Sequence, residues 1–408
     1  MRILFVHNNF PGQYQRIVRH LKNRPGIDML SGSLASNKQP APIQRIGYTP
    51  HREASEKIHP ALRYTETCVI RAQAVYKAFL SVKQKGWKPD VILSHSGFGD
   101  GMLLKDLWPD ARYLPYFEWY YHASGSDASF LTHDAQKAPD DEFRIRMKNT
   151  AVLHDLAAMD WGQCPTEFQK SQFPVQFRDR ISVLHDGVDT EFFAPDPEAV
   201  LEAGGHSFRR GDPVVTYISR GMEPYRGFPQ FMEALSILQA RDPRVHAVII
   251  GDDRTAYGQK RPDGKTHKEW ALEEFPTDPE RTHFVGRQPL DYLRRALQVG
   301  AAHVYLTVPF VLSWSMMEAM AAGALVVGSD TAPVREMIED GRNGLLAPFF
   351  EPRTLADRLF DAVNEPERFA PLRDAARALM VERYSKDDLT EKYLGLIRAV
   401  AKGKTPTV

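Results

Sequence analysis

Three short segments concentrate the residue types that bind phosphate and hydroxyl groups. The first, His7-Asn8-Asn9-Phe10-Pro11-Gly12-Gln13-Tyr14, follows an apolar run and opens into helix-like sequence. Gly12 lets backbone approach a ligand closely, and the free N–H groups of a helix start favour an anion. The second, Ser219-Arg220-Gly221-Met222-Glu223-Pro224-Tyr225-Arg226-Gly227-Phe228, carries two arginines whose planar guanidiniums suit bidentate hydrogen bonding to a pyrophosphate. The third runs from Pro309 to Gly323. There Ser313 or Ser315 caps a helix, leaving amides aimed at an anion, and Glu318 lies about one turn in among Met316, Met317, Met320 and Ala321. A carboxylate on so apolar a helix faces water or accepts from hydroxyl donors, and a ribose offers two adjacent ones. Each segment alone also has a plain explanation: a tight turn, two solvated loop arginines, an exposed glutamate. The first segment is not a GxGxxG fingerprint, so nicotinamide binding has weak support.

The elements that must hold these segments alternate between short apolar runs and longer amphipathic stretches, the pattern of a parallel α/β sheet. Strands are expected at Ile3–His7, Val91–Ser94, Arg112–Phe117 and Ile181–Leu184, with helices including Thr65–Lys83 and Glu142–Met159. The pattern restarts with strands at Val214–Ser219, Val245–Ile250, His283–Val285, His303–Leu306 and Leu325–Val327. A chain of 408 residues exceeds what one core usually organises, so two domains are expected. The stretch from Phe193 to Pro213, rich in proline, glycine and charge, reads as the linker. The expected division is 1–205 and 206–385, with a last helix over about 386–408 packing back on the first domain.

Apolar residues at 43% and charged residues at 25% are ordinary for a globular protein. The 52 basic and 52 acidic side chains cancel, so no nucleic-acid or other polyanionic partner is expected from net charge. The distribution is uneven: Met1–Lys105 holds 16 Lys/Arg against 6 Asp/Glu. That excess is either a solvated basic surface or a face for an anionic acceptor or peripheral contact with an anionic membrane. Cys68 and Cys164 have no metal-ligand spacing, and two free thiols fit a reducing, cytoplasmic setting. The chain starts directly with the strand-like Arg2-Ile3-Leu4-Phe5-Val6 and holds no apolar window of the roughly 18 residues a membrane span needs.

Taken together and in this order, the segments resemble glycosyltransferase family 4, a retaining GT-B family. The resemblance rests on the strand–loop–helix opening, the Arg220/Arg226 loop and Ser315-Met316-Met317-Glu318-Ala319-Met320-Ala321-Ala322-Gly323. His185-Asp186-Gly187-Val188-Asp189 is similar to the family's Asn-Gly-Val-Asp turn, and Gly328–Glu336 to its post-helix loop. The resemblance implies two Rossmann-like domains with a cleft between them. It implies Glu318 on the donor ribose, Arg220 and Arg226 on its diphosphate, and amides near Ser313, Trp314 and Ser315 on the distal phosphate. Gly12 would support the diphosphate from the other domain, and Gly286 and Arg287 would border the base. Arg226 stands where the family has lysine, and Phe310 where it has the first of two motif glutamates, the one that contacts the donor sugar. The variant Tyr116-Phe117-Glu118-Trp119-Tyr120-Tyr121 resembles a bacterial branch of the family, which makes Glu118 a sugar or acceptor contact. A buried carboxylate paired for structure is the other reading of Glu118. His95, His122, His185 and Phe310 are further sugar or acceptor candidates.

The implied reaction moves a sugar from a nucleotide-diphosphate donor to an acceptor the sequence does not identify, with retention. Arginines and amide dipoles would absorb the leaving-group charge, so no metal or other cofactor is expected. Asp252-Asp253 reads as a polar loop ending a strand. Two competing readings are a GT-B-like sugar-nucleotide epimerase or inverting transferase, and a catalytically silent binding subunit, the latter motivated by Phe310. Nothing in the sequence sets the oligomeric state.

Overall fold

The computed structural model describes residues 1–131 and 139–407. It divides into two compact units, Met1–Gly187 with Lys386–Val408, and Val188–Ser385.

In the first unit the strands are β1 (Arg2–Val6), β2 (Asp28–Leu34), β3 (Arg45–Tyr48), β4 (Val91–His95), β5 (Arg112–Tyr116), β6 (Gly162–Cys164) and β7 (Ile181–Val183). They form a parallel sheet in the order β3-β2-β1-β4-β5-β6-β7. Helices cover both faces, which is why Ile3, Leu4, Phe5 and Val6 are all fully buried rather than alternating. The long helix Arg63–Gln84 buries Cys68, Ala72, Val75 and Phe79, one stripe at helical spacing. Glu66 in its first turn and Lys83 in its last complement the helix dipole. Phe79 fills the space over Gly32, where a Cβ would stand 2.7 Å from the ring. Truncating Phe79 to alanine costs about 3–5 kcal/mol by transfer and cavity formation. The last helix, Lys386–Ala401, packs on the helix Gln15–Leu21 and on β4 and β5.

The second unit opens with a hairpin, β8 (Val200–Ala203) and β9 (His206–Arg209), followed by β10 (Val214–Gly221), β11 (His246–Asp252), β12 (Thr282–Gly286), β13 (Ala302–Tyr305), β14 (Val326–Ser329) and β15 (Leu345–Ala347). The parallel sheet has the order β12-β11-β10-β13-β14-β15. The expected linker is therefore corrected: the boundary falls at Gly187/Val188, and 188–213 belongs to the second unit. Val188 and Phe193 share a core with Met316 and Met320, and Leu201 and Phe208 share one with Val248 and Ile250. The prolines and glycines punctuate packed turns there.

Both sheets reverse strand order once, between β1 and β4 and between β10 and β13. Doubly wound sheets bind ligands beyond the carboxyl ends of strands at such a reversal. The loops after β1 and β13 carry Gly12 and Phe310, and His95 and Arg220 lie at the carboxyl ends of β4 and β10. Among the described residues Cys68 and Cys164 are buried and form no disulfide, and no helix is long and apolar enough to cross a membrane.

Candidate functional site

A pocket of about 340 Å³ lies at the carboxyl ends of β10 and β11, its wall including Arg220, Asp252, Arg287, Ser313, Trp314 and Glu318. Concave sites of this size at a strand-order reversal are where small ligands bind in α/β folds. Arg220 is exposed at the end of β10, its guanidinium 5.9 Å from the centre of the Tyr257 ring. The aromatic loop beneath is clasped by Glu223, a fully buried carboxylate that accepts from the amides of Tyr257 (2.9 Å) and Gly258 (2.8 Å). The helix Trp314–Ala321 begins at the pocket, with Ser313 as its N-cap. Glu318 is buried on that helix and lines the pocket.

Arg226 lies in the single turn Pro224–Arg226 and is buried, outside the pocket wall. Its Nη1 donates to Thr307 Oγ1 (2.8 Å) and Tyr305 OH (3.3 Å), both neutral hydroxyls. Its guanidinium sits 5.4 Å from the Tyr257 ring centre and 6.0 Å from that of Phe310, whose ring also meets Tyr225 edge-on at 5.8 Å. Phe310 thus walls an aromatic box around a cation. Among the described residues no carboxylate lies within ion-pair distance of Arg220 or Arg226.

The helix N-terminus is more occupied than the sequence reading expects. The Ser313 amide donates to Tyr305 OH (2.7 Å), and the Ser315 amide donates to Ser313 Oγ (3.3 Å). Gly286 ends β12 at φ +67°, and its neighbour Arg287 lines the pocket while Gly286 does not.

A second polar cluster belongs to the first unit. Gly12 starts a short turn after β1 at φ +46°, and a Cβ there would stand 2.6 Å from His7 Nε2. That position needs glycine both for its backbone and for the room. The Asn9 amide donates to His7 Nδ1 (2.9 Å), so His7 Nε2–H donates to Gln13 Oε1 (2.9 Å). Gln13 Nε2 in turn donates to Glu118 Oε1 (3.0 Å). Glu118 Oε2 stands 3.6 Å from His95 Nε2, an ion-pair distance rather than a formed hydrogen bond. Burial opposes charge on both partners, yet their mutual attraction wins: His95 is held above its ordinary pKa and Glu118 below its own. The Glu118 side chain is 31% exposed. His7 is kept neutral by burial and by His95, its pKa pushed down to about 3. Asp100, fully buried with Arg71 3.8 Å away, is pushed up to about 7 by burial.

Gly12, His95 and Glu118 are thus brought together, with His7 and Gln13 as members the sequence reading assigned no role. Their signal was available, since both sit beside Gly12 in the loop after β1. His122 and His185 are placed elsewhere. His122 is tethered to the Gln172 carbonyl at 2.8 Å, and His185 is buried, accepts from the Gly187 amide at 3.0 Å and is lowered to about 3 by burial.

Comparison with known proteins gives a consistent picture. Residues 26–193 match the family described as "Glycosyl transferase family 4 group", and residues 212–365 match "Glycosyl transferases group 1". The chain is 27% identical over 248 residues to alpha-maltose-1-phosphate synthase of Mycolicibacterium smegmatis, covering 56% of this chain and 59% of that protein. It is 27% identical over 288 residues to D-inositol 3-phosphate glycosyltransferase of Corynebacterium glutamicum, covering 68% and 65%. The matches thus span less than two thirds of those relatives' own lengths. Among solved structures, HepE of Anabaena in complex with UDP and glucose superposes with a TM-score of 0.67 at 16% identity, over 98% of this chain and 100% of that one. Sucrose-phosphate synthase of Thermosynechococcus elongatus gives 0.70 at 14% identity, over 99% and 100%.

Proposed function

Because the chain belongs to the family 4 group of glycosyltransferases and has the GT-B fold, we propose that it moves a sugar from a nucleotide-diphosphate donor to an acceptor, retaining the anomeric configuration and using no metal ion. One observation carries this: the second-unit pocket combines an unpaired arginine, the start of a helix and a buried carboxylate, the groups a nucleoside diphosphate needs. In this reading Glu318 accepts from the ribose hydroxyls and Arg287 borders the base. Arg220 and Arg226 stabilise the charge that grows on the diphosphate as the glycosidic bond breaks. The UDP held by HepE, a neighbour in fold, supports the ligand class.

In the first unit, Glu118 is the proposed sugar or acceptor contact. His95 holds it ionised, and Gln13 fixes its rotamer, so it accepts hydrogen bonds from a hydroxyl without first losing a proton. The basic first quarter favours an anionic acceptor, an envelope lipid or polysaccharide precursor at a membrane surface. Such contact would be peripheral, on the cytoplasmic side.

The test is incubation with a panel of UDP-, GDP- and ADP-sugars, following nucleotide release and product stereochemistry by NMR. Release with one donor and an axial-to-axial outcome support a retaining transferase. An inverted product supports the inverting alternative. Phe310 in place of a sugar-contacting glutamate keeps one further reading alive, a silent subunit that binds nucleotide sugar and releases nothing.

A further inference from the structure

At the opposite end of the second sheet, three histidines converge from three different strands. The hairpin β8–β9 pairs Ala203 with His206 across the two-residue turn Gly204-Gly205, both at positive φ (+58° and +79°). Such a turn matches the twist of its strands and sets the register, so His206 leaves the turn at a fixed place. His246 begins β11, and His283 lies in β12 opposite Val248. His246 and Val248 are two apart, so His246 and His283 project from one face of the sheet. That is the face the hairpin covers, since Phe208 packs in one core with Val248. The hairpin tip closes so tightly that a Cβ on Gly204 would stand 2.0 Å from His283 Nδ1.

We propose that His206, His246 and His283 form a site for a divalent transition-metal ion, zinc or one of similar preference, that pins the β8–β9 hairpin to the sheet. One ligand nitrogen from each ring lies within 4.8 Å of the other two, the one such group among the described residues. His246 Nδ1 and His283 Nε2 are 3.0 Å apart. Two imidazole nitrogens on a tetrahedral zinc at about 2.0–2.1 Å stand roughly 3.3 Å apart, so this pair is nearly in place. His206 is exposed and needs a shift of roughly 1.5 Å, within reach of a rotamer adjustment. Metal binding needs neutral imidazole. Burial and the neighbouring histidines hold both His246 and His283 below the ordinary histidine pKa. Arg281 opposes a cation here, but its Nε is bound to Asp278 Oδ2 at 2.8 Å, which offsets much of that charge. Three imidazoles suit zinc, nickel, cobalt or copper rather than magnesium or calcium, which take oxygen ligands.

The site is separate from the pocket. His246 starts β11 and Asp252 ends it, and six residues of strand span roughly 20 Å at about 3.3 Å each. Its role is therefore structural, tying the hairpin to the sheet, and does not depend on the proposed transferase reaction.

The test uses the full chain stripped with a chelator and titrated with cobalt(II). The expected result is one ion per chain with the intense visible bands of tetrahedral coordination, displaced by zinc, and a zinc-dependent rise in Tm. His206→Ala, at an exposed position where folding is not at stake, should weaken cobalt binding at least about tenfold, and abolish the rise in Tm. His51→Ala, exposed and outside the cluster, should change neither. Equal binding by wild type and His206→Ala, or cobalt bound only with the weak spectrum of an octahedral surface ion, would overturn the proposal.

Discussion

Replacing Arg226 with methionine should separate catalysis from stability. Arg226 is only 8% exposed, and its Nη1 donates to the hydroxyls of Thr307 and Tyr305. Losing two such charge-assisted bonds costs about 1.5–3 kcal/mol each. Neither hydroxyl is orphaned: Thr307 Oγ1 still donates to the Val308 carbonyl at 2.9 Å, and Tyr305 OH still accepts from the Ser313 amide at 2.7 Å. Against that loss stands relief of an unpaired buried charge, whose desolvation costs several kcal/mol. Methionine also keeps apolar contact with Tyr257 and Phe310. The net change in unfolding free energy should stay within about 2 kcal/mol of zero. Turnover should fall by about 10²–10³, the effect of removing one donor aimed at developing charge. Urea denaturation and steady-state kinetics with the identified donor read the two quantities. Arg226→Lys, which keeps the charge and loses the fork, should recover part of kcat. Arg226→Met with kcat within tenfold of wild type, or with its whole effect in KM, would refute the charge-stabilising role and leave Arg226 as packing or plain anchoring.

Three further outcomes follow from the same geometry. Arg220→Ala, at an exposed position with no acidic partner among the described residues, should lower kcat more than donor affinity; a loss confined to binding would reduce Arg220 to an anchor. Glu118→Gln removes the carboxylate that holds His95 up, so NMR titration should show the His95 pKa falling as activity drops; an unmoved His95 would dissolve the pairing. His303 is buried in β13 beside Thr216 Oγ1 (3.0 Å), and burial lowers it to about 3. Its unfolded form takes a proton first, so its contribution is intact above about pH 6.5 and is lost as pH falls toward 3, by about 1.4 kcal/mol per pH unit. Asp100 and Asp155, raised by burial to about 7 and about 6, act in the opposite sense, so the comparison must be between variants. His303→Gln should flatten the acid side of the stability curve measured between pH 7 and pH 5, and an unchanged slope would contradict the assignment.

Much of the fold was legible because parallel strands buried on both faces must be apolar throughout. Leu4 to Val6 in β1 and Val248 to Ile250 in β11 carry that mark. Asp28–Leu34 does not. Its Ser31 and Ser33 are buried but donate to the carbonyls of Gln44 (3.0 Å) and Asn8 (2.9 Å), and Gly32 leaves room for Phe79. Apolarity is silent where side-chain hydrogen bonds replace it. The hairpin Val200–Arg209 hid for a related reason, since Gly204-Gly205 marks a turn and a linker alike until Leu201 and Phe208 are seen in a core.

The site divides in the same way. Arg220 and Glu318 stand out because strand ends and first helical turns are local features, and both reach the pocket wall. The tie from Gln13 to Glu118 spans 105 positions, and Arg226 finds its hydroxyl partners about 80 residues away, so neither was visible along the chain. The same holds for the histidines of β9, β11 and β12, which only the sheet brings together.

The central claim, a nucleoside diphosphate held in the second-unit pocket with Glu318 on its ribose, is tested most directly by calorimetric titration of UDP, GDP and ADP into wild type and Glu318→Ala. The account predicts saturable binding of at least one of them to wild type, weakened in the variant by about 1–3 kcal/mol, roughly 5- to 150-fold. Equal affinity in the two proteins, or no binding of any of the three, would contradict it.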